Sequence, residues 1–176
     1  MEYNRKCKGV IMKNLYIDFD GVILDTITPV YDLARKLNID VKTQSKEVGL
    51  LYSKIDWETL IEESPALNDS IDAIKKLKKS KKFNISILTH VNSLKEAKSK
   101  IEFINNLFND LTIIPVPKSC SKTMMTQTKN AILVDDYSGN LKEWKEAEGI
   151  SVKFSKVKEE SEFIDITSLE ELLDIF

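Results

Sequence analysis

The sequence predicts an α/β domain built on a mostly parallel sheet. Three observations carry that expectation. Short apolar runs of strand type alternate with segments whose apolar residues recur at helical spacing. Three of those runs end in polar residues: Asp18-Phe19-Asp20-Gly21, Thr89-His90 and Asp135-Asp136. The chain is 176 residues long, enough for one domain with a small insertion.

Taken in order, residues 1–11 are polar and aperiodic, and they read as a non-native or disordered extension before a natural start at Met12. Leu15-Tyr16-Ile17 is the first strand. Residues 27–38 set Ile27, Val30, Tyr31, Leu33, Ala34 and Leu37 at helical spacing. Leu50, Leu51, Ile55, Trp57, Leu60 and Ile61 predict one or two further short helices, and Pro65 punctuates them. Asn68 or Asp69 is placed to cap a helix that turns Ile71, Ile74 and Leu77 inward. Residues 83–88 alternate into a strand. Ser93 with Glu96 forms a capping box for a helix carrying Ala97, Ile101, Ile104 and Leu107. Leu111–Pro115 and Ala131–Val134 read as strands, 140–147 as a helix and Ile150–Phe154 as a strand. Thr167 with Glu170 caps a last helix ending near Phe176. Only helical signals occur over 28–66, which marks that segment as a helical insertion after the first strand.

Composition narrows the function. The net charge is −2, and arginine occurs only at Arg5 and Arg35. Arginine is the usual bidentate reader of bases and phosphates, so a nucleic-acid polymer is not an expected partner. No apolar run approaches the roughly 20 residues a membrane helix needs. A single histidine, His90, excludes a multi-histidine metal site, and two cysteines suit a reducing compartment. With no secretory signal visible, the cytoplasm is the expected location.

The chemistry concentrates at the strand ends, where open α/β sheets bind ligands. Two carboxylates flanking one residue at the end of a buried strand, Asp18 and Asp20, are unfavourable unless a cation compensates them. Hard oxygen donors suit Mg²⁺. Gly21 permits a sharp turn and lets N–H groups point at an anion. A plain Asp-Gly turn is the alternative reading of these residues. A calcium loop is a poor alternative, because the D-x-D-x-D-G order and its distal Glu are missing. Asp135-Asp136 adds a second acidic pair that fits the same cation, although carboxylates at a helix N-terminus would also explain it. The Thr89 hydroxyl can donate to a phosphate oxygen, and His90 beside it offers backbone or pocket contact. Lys118 or Lys122 can supply a point positive charge to a phosphate.

In this order and spacing, the motifs resemble those of the haloacid dehalogenase (HAD) superfamily of phosphatases. Ile17-Asp18-Phe19-Asp20-Gly21-Val22-Ile23-Leu24-Asp25-Thr26 is similar to that family's opening motif. Thr89, a lysine and Asp135-Asp136 stand for its other three motifs. Within the superfamily, Ile132–Asp136, Asn140-Leu141, Trp144 and Gly149-Ile150 resemble the small 5′(3′)-deoxyribonucleotidase-like group, and Ser121-Lys122-Thr123 favours Lys122 over Lys118. The resemblance implies a Rossmann-like three-layer core, 12–27 with 67–176, and a small helical cap, 28–66. It implies Asp18 as nucleophile and Asp20 as general acid and base. Asp18, the Asp20 carbonyl, Asp135 and Asp136 would hold Mg²⁺. Thr89, Lys122 and the Phe19–Gly21 amides would hold the phosphoryl group, with His90 near it. Tyr31, Tyr52 and Trp57 are the cap aromatics that could meet the leaving group or simply pack the cap onto the core. The implied substrate is a small phosphorylated metabolite, a nucleoside monophosphate first. Sugar phosphates, a mutase reaction and a non-catalytic HAD-like binding domain remain open on these residues alone.

Overall fold

The computed structural model describes residues 12–176, so the expectation for 1–11 lies outside the described residues. Six parallel strands form one sheet: β1 Lys13–Ile17, β2 Phe83–Val91, β3 Thr112–Pro117, β4 Ile132–Asp135, β5 Ile150–Phe154 and β6 Ile164–Ile166. Their spatial order is β3-β2-β1-β4-β5-β6. The chain runs outward from β1 to β3, then crosses back to β4 on the other side of β1. Strand order therefore reverses between β1 and β4, and the crevice beyond their carboxyl ends is the place where such sheets bind ligands.

Strand alternation sorts the core into two faces. Leu15, Ile17, Ile85, Ile87, Ile132 and Val134 meet helices α4 (Ser70–Ser80), α5 (Leu94–Leu107) and α7 (Leu172–Ile175). Leu88, Val116 and Leu133 meet α6 (Ser138–Glu146) through Leu141 and Trp144. The Trp144 indole stands edge-on to Tyr16 at 5.4 Å and donates to the Ala131 carbonyl at 3.0 Å. Between β1 and α4 lie α1 (Ile27–Lys36), α2 (Ser45–Lys54) and α3 (Trp57–Glu63), the helices expected over 28–66. Among the described residues, no helix is long and apolar enough to cross a membrane.

The structure changes several local expectations. β2 continues to Val91, so Thr89 and His90 lie inside the strand rather than beyond it. They stay in the ladder because β3 pairs with them through Pro115 and Val116. Asp69 occupies the position before α4 with φ 57° and makes no side-chain cap. Asn68 instead ties the carbonyls of Lys156 and Thr167, at 3.1 and 2.7 Å. Ser93 caps α5 as expected, but the Glu96 carboxylate accepts from the Asn92 amide rather than closing the box on Ser93. At the C-terminus the capping box is Ser168 with Glu171, one residue later than Thr167 with Glu170. That register turns Leu169 and Leu172 into the core, both 0% exposed. The three-residue strand β6 is one that the sequence does not predict.

Candidate active site

β1 and β4 deliver the carboxylates. Ile17 pairs with Val134, and the Asp18 amide donates to the Val134 carbonyl at 2.9 Å, so Asp18 and Asp135 leave the sheet side by side. Carboxylate oxygens of Asp18, Asp135 and Asp136 all lie within 4.8 Å of one another. Asp135 is fully buried and held from three directions: by the Tyr137 amide at 2.8 Å, the Asn140 amide group at 2.8 Å and the Lys122 ammonium at 2.6 Å. Lys122 opens a single 3₁₀ turn, Lys122–Met124, and its ammonium also stands 2.9 Å from Asp18 Oδ1. Of the two candidate lysines, Lys122 therefore reaches the carboxylates, while Lys118 lines the cavity above them.

Three carboxylates against one contacting ammonium leave an imbalance. Burial raises the Asp18 carboxyl to about 6, with Lys122 opposing and Asp135 and Asp20 adding to the rise. Burial, then Asp18 and Asp135, pushes Asp136 up to about 8. Lys153 on β5 opposes this but bonds the Asp136 main-chain carbonyl rather than its carboxylate. Clustered hard oxygens that resist ionising together suit a divalent cation such as Mg²⁺.

Gly21 is required where it stands. Its φ is +73°, and a Cβ there would lie 2.4 Å from Asp136 Oδ2. Two of the amides expected to face an anion are engaged elsewhere. The Phe19 amide donates to Asp18 Oδ1 at 2.8 Å and the Gly21 amide to the Leu24 carbonyl at 2.8 Å. The tight turn that carries Asp20 uses the Gly21 amide to close itself.

Asp20 points away from the triad toward the insertion. Its Oδ1 accepts from the Thr26 hydroxyl at 2.6 Å and its Oδ2 from Lys100 at 2.5 Å. Thr89 is 0% exposed, and its hydroxyl lies 3.2 Å from Lys100 and 3.5 Å from Asp20 Oδ2. The His90 ring lines the cavity and bonds the Cys120 carbonyl at 3.0 Å, and burial lowers its pKa.

Above Asp18, Asp20 and Asp136 lies a cavity of about 460 Å³. Its opposite wall comes from the insertion, through Val30, Tyr31, Val41, Val48 and Tyr52, with Ile27 just before it. Tyr31 is 47% exposed, whereas Trp57 is buried and donates its indole N–H to the Tyr52 carbonyl at 3.3 Å. Trp57 is thus first a packing residue.

The sequence reading missed Thr26, Asn140, Glu96 and Lys100 as groups that hold the site's side chains. Thr26 and Asn140 stand inside the quoted motifs. Lys100 shares the apolar face of α5 with Ala97, Ile101 and Ile104, and Glu96 sits one turn before it. A Glu-Lys pair interrupting an apolar stripe was the available signal.

No family model matches the chain, and no curated protein matches it in sequence. Solved structures do. A HAD-superfamily hydrolase of subfamily IA from Geobacter sulfurreducens PCA is 13% identical with a TM-score of 0.63, covering 94% of this chain and 100% of its own. A hydrolase from Pseudomonas syringae is 11% identical with a TM-score of 0.63, covering 93% and 97%. The YfnB protein of Bacillus subtilis, solved bound to magnesium, is 16% identical with a TM-score of 0.60, covering 93% and 98%. What is shared at these identities is architecture, and the chain has the fold of the HAD-superfamily hydrolases.

Proposed function

We propose that this protein is a Mg²⁺-dependent phosphomonoester hydrolase that works through an aspartyl-phosphate on Asp18, with a nucleoside monophosphate as substrate. The observation that carries the reading is the cluster of the buried carboxylates Asp18 and Asp135 with the partly buried Asp136 at the strand-order reversal, with Asp20 two residues from Asp18 on the cavity floor. The donor chemistry fits the cation. Asp18, Asp135, Asp136 and the Asp20 carbonyl would hold it, and when bound it would screen the anionic nucleophile from the anionic phosphate.

The chain's own residues divide the remaining work. An Asp18 carboxylate oxygen attacks phosphorus while the bond from phosphorus to the ester oxygen breaks. Asp20 gives its proton to that departing oxygen. Asp20, now a carboxylate, takes a proton from water, and the water oxygen attacks phosphorus. Phosphate leaves and Asp18 is restored. Lys122 keeps Asp18 and Asp135 oriented and supplies positive charge where charge accumulates on the phosphoryl oxygens. His90 lines the phosphate side of the cavity, whereas Thr89, buried against Lys100 and Asp20, braces Asp20 rather than meeting the phosphate. The segment 28–66 acts as a cap. Its apolar wall with Tyr31 and Tyr52 suits a flat, weakly polar leaving group, which favours a nucleoside over a sugar.

Phosphate release from 5′- and 3′-deoxynucleotides, ribonucleotides, sugar phosphates and an aryl phosphate, with Mg²⁺ or EDTA, tests the proposal. Metal-dependent release strongest with deoxynucleotides is the expected result. Release from sugar phosphates alone would discard the nucleotidase reading and keep the chemistry. No release from any ester would overturn both.

A further inference from the structure

Lys100 is a buried charge on α5 that no strand-end motif explains. Its side chain is 1% exposed. The ammonium touches Asp20 Oδ2 at 2.5 Å, Glu96 Oε1 at 2.8 Å, the His90 carbonyl at 2.9 Å and Thr89 Oγ1 at 3.2 Å. The rings of Phe19 and Trp57 lie 5.5 and 5.4 Å away. Glu96, one turn earlier on the same helix, is itself buried and would serve as counter-ion if neutralisation were the whole requirement. The ammonium extends past it to Asp20 as well, and both carboxylates line the cavity.

Both Asp20 oxygens are thereby fixed, Oδ1 by Thr26 and Oδ2 by Lys100. A carboxyl that hands a proton to a leaving oxygen must present one oxygen within hydrogen-bond reach and in a constant direction. With Lys100 at Oδ2, Oδ1 is the oxygen that exchanges its Thr26 bond for the leaving oxygen; without Lys100, only that Thr26 bond and the 3.5 Å Thr89 contact restrain rotation about the Cβ–Cγ bond. We infer that Lys100 is a positioning residue for Asp20: with Thr26 it locks the orientation of the acid and base carboxyl, and through Trp57 of α3 it joins that orientation to the seating of the helical insertion. The inference rests on the hydrolase reading above. Lys100 touches no substrate atom in this scheme and acts through Asp20.

Leaving-group dependence separates this role from plain structural support. A poor leaving group needs the proton from Asp20, and a good one needs it little. The experiment measures kcat/KM with Mg²⁺ for a series of substituted phenyl phosphates, from p-nitrophenyl to phenyl. The enzymes are the wild type, Lys100→Met, Asp20→Asn and Asp20→Asn/Lys100→Met. Lys100→Met alone strands Glu96, so Glu96→Gln/Lys100→Met is read beside it, and melting temperatures establish that each variant folds. The expected loss in Lys100→Met grows from about 3-fold on the p-nitrophenyl ester to on the order of 100-fold on the phenyl ester. In the Asp20→Asn background the same change adds less than about 3-fold, because the two residues act as one unit. A loss equal across the series, or no loss, overturns the assignment while leaving the hydrolase reading intact. A wild type that releases no phosphate from any ester overturns the hydrolase reading and the role of Lys100 with it.

Discussion

Lys122 and Lys100 invite direct comparison. Each ammonium is buried and each lies within 3 Å of two carboxylates. Lys122 reaches Asp18 and Asp135, at 2.9 and 2.6 Å, whereas Lys100 reaches Asp20 and Glu96, at 2.5 and 2.8 Å. For both lysines burial would lower the pKa, but the paired carboxylates more than offset it and hold the ammonium charged. The difference is the third carboxylate. Asp136 stands beside Asp18 and Asp135, and its carboxyl is raised to about 8. Around Lys100 the acidic partners are Asp20 and Glu96, with the Thr26 and Thr89 hydroxyls and the His90 carbonyl filling the remaining bonds. One aspartate of the Asp18-Phe19-Asp20 turn is therefore set in a cluster with surplus negative charge, where a divalent cation fits. Its neighbour is set in a cluster that fixes geometry. Two residues of separation produce the two environments because Asp18 leaves the sheet beside β4, while Asp20, past the turn, faces α5 and the insertion.

The largest effect expected at the first cluster is on turnover. Asp18→Asn removes the proposed nucleophile and should lower kcat/KM by on the order of 10³-fold or more. It also removes a carboxyl whose burial is unfavourable, so the melting temperature should hold or rise. Steady-state kinetics and a thermal melt on the same sample check both halves. Turnover near the wild-type value would place the nucleophile elsewhere.

Removing the fixed cation sharpens the contrast through stability. Lys122→Met leaves Asp18 and Asp135 buried without a counter-charge and should destabilise by about 3–5 kcal/mol. Saturating Mg²⁺ should restore much of that loss, because binding only the folded state adds stability by mass action. Denaturant unfolding with EDTA and with Mg²⁺ gives the two numbers. Equal unfolding midpoints in the two conditions would mean that the triad does not take the cation.

These two clusters also differ in how far the sequence discloses them. Asp18, Asp20 and Asp135-Asp136 stand at the ends of apolar strands, where a charged residue is conspicuous and the fold class says which ends converge. Lys122 followed from its place before the last acidic strand. Lys100 did not, because 24 lysines make any single one unremarkable and α5 exposes polar residues on most of its circumference. The fold shows the same division. Strands with four or more apolar-rich residues were legible, but β6 has only Ile164, Asp165 and Ile166 and is visible as a strand only once β5 is there to pair with it. At the C-terminus, Thr167-Ser168-Leu169-Glu170-Glu171 contains two overlapping capping patterns. Packing decided between them, since only the Ser168–Glu171 register buries Leu169 and Leu172. Side-chain contacts across elements, unlike strand ends, leave no local periodicity to read.

A smaller effect is expected at Gly21, where the turn separates the two aspartates. Gly21→Ala places a methyl group against Asp136 Oδ2 in a left-handed conformation and should cost about 1–3 kcal/mol. Because the clash falls on Asp136, the variant should also weaken the response of the melting temperature to added Mg²⁺, while Lys100 and Asp20 stay in contact. Melts across a Mg²⁺ titration read this directly. A Gly21→Ala protein with wild-type stability and Mg²⁺ response would show that the turn relaxes away from the triad.

The smallest expected effect isolates the surplus charge itself. A carboxyl with a higher pKa in the folded chain than in the unfolded one binds more protons when folded, so stability falls as pH rises through the window between the two values. For Asp136 that window runs from 3.8 to about 8, and for Asp18 from 3.8 to about 6. His90, whose folded pKa is lowered, acts in the opposite sense below its ordinary value of 6.5. Between about pH 6.5 and 8 the Asp136 contribution stands largely alone, and in EDTA the melting temperature should decline across that interval. Saturating Mg²⁺ should flatten the decline, because a cation that requires ionised carboxylates binds better as protons leave. Asp136→Asn should flatten it without Mg²⁺. Glu96→Gln, at the Lys100 cluster, should leave the slope in EDTA unchanged. A slope that followed Glu96 rather than Asp136 would reverse the comparison, placing the uncompensated charge beside Lys100 instead of in the triad.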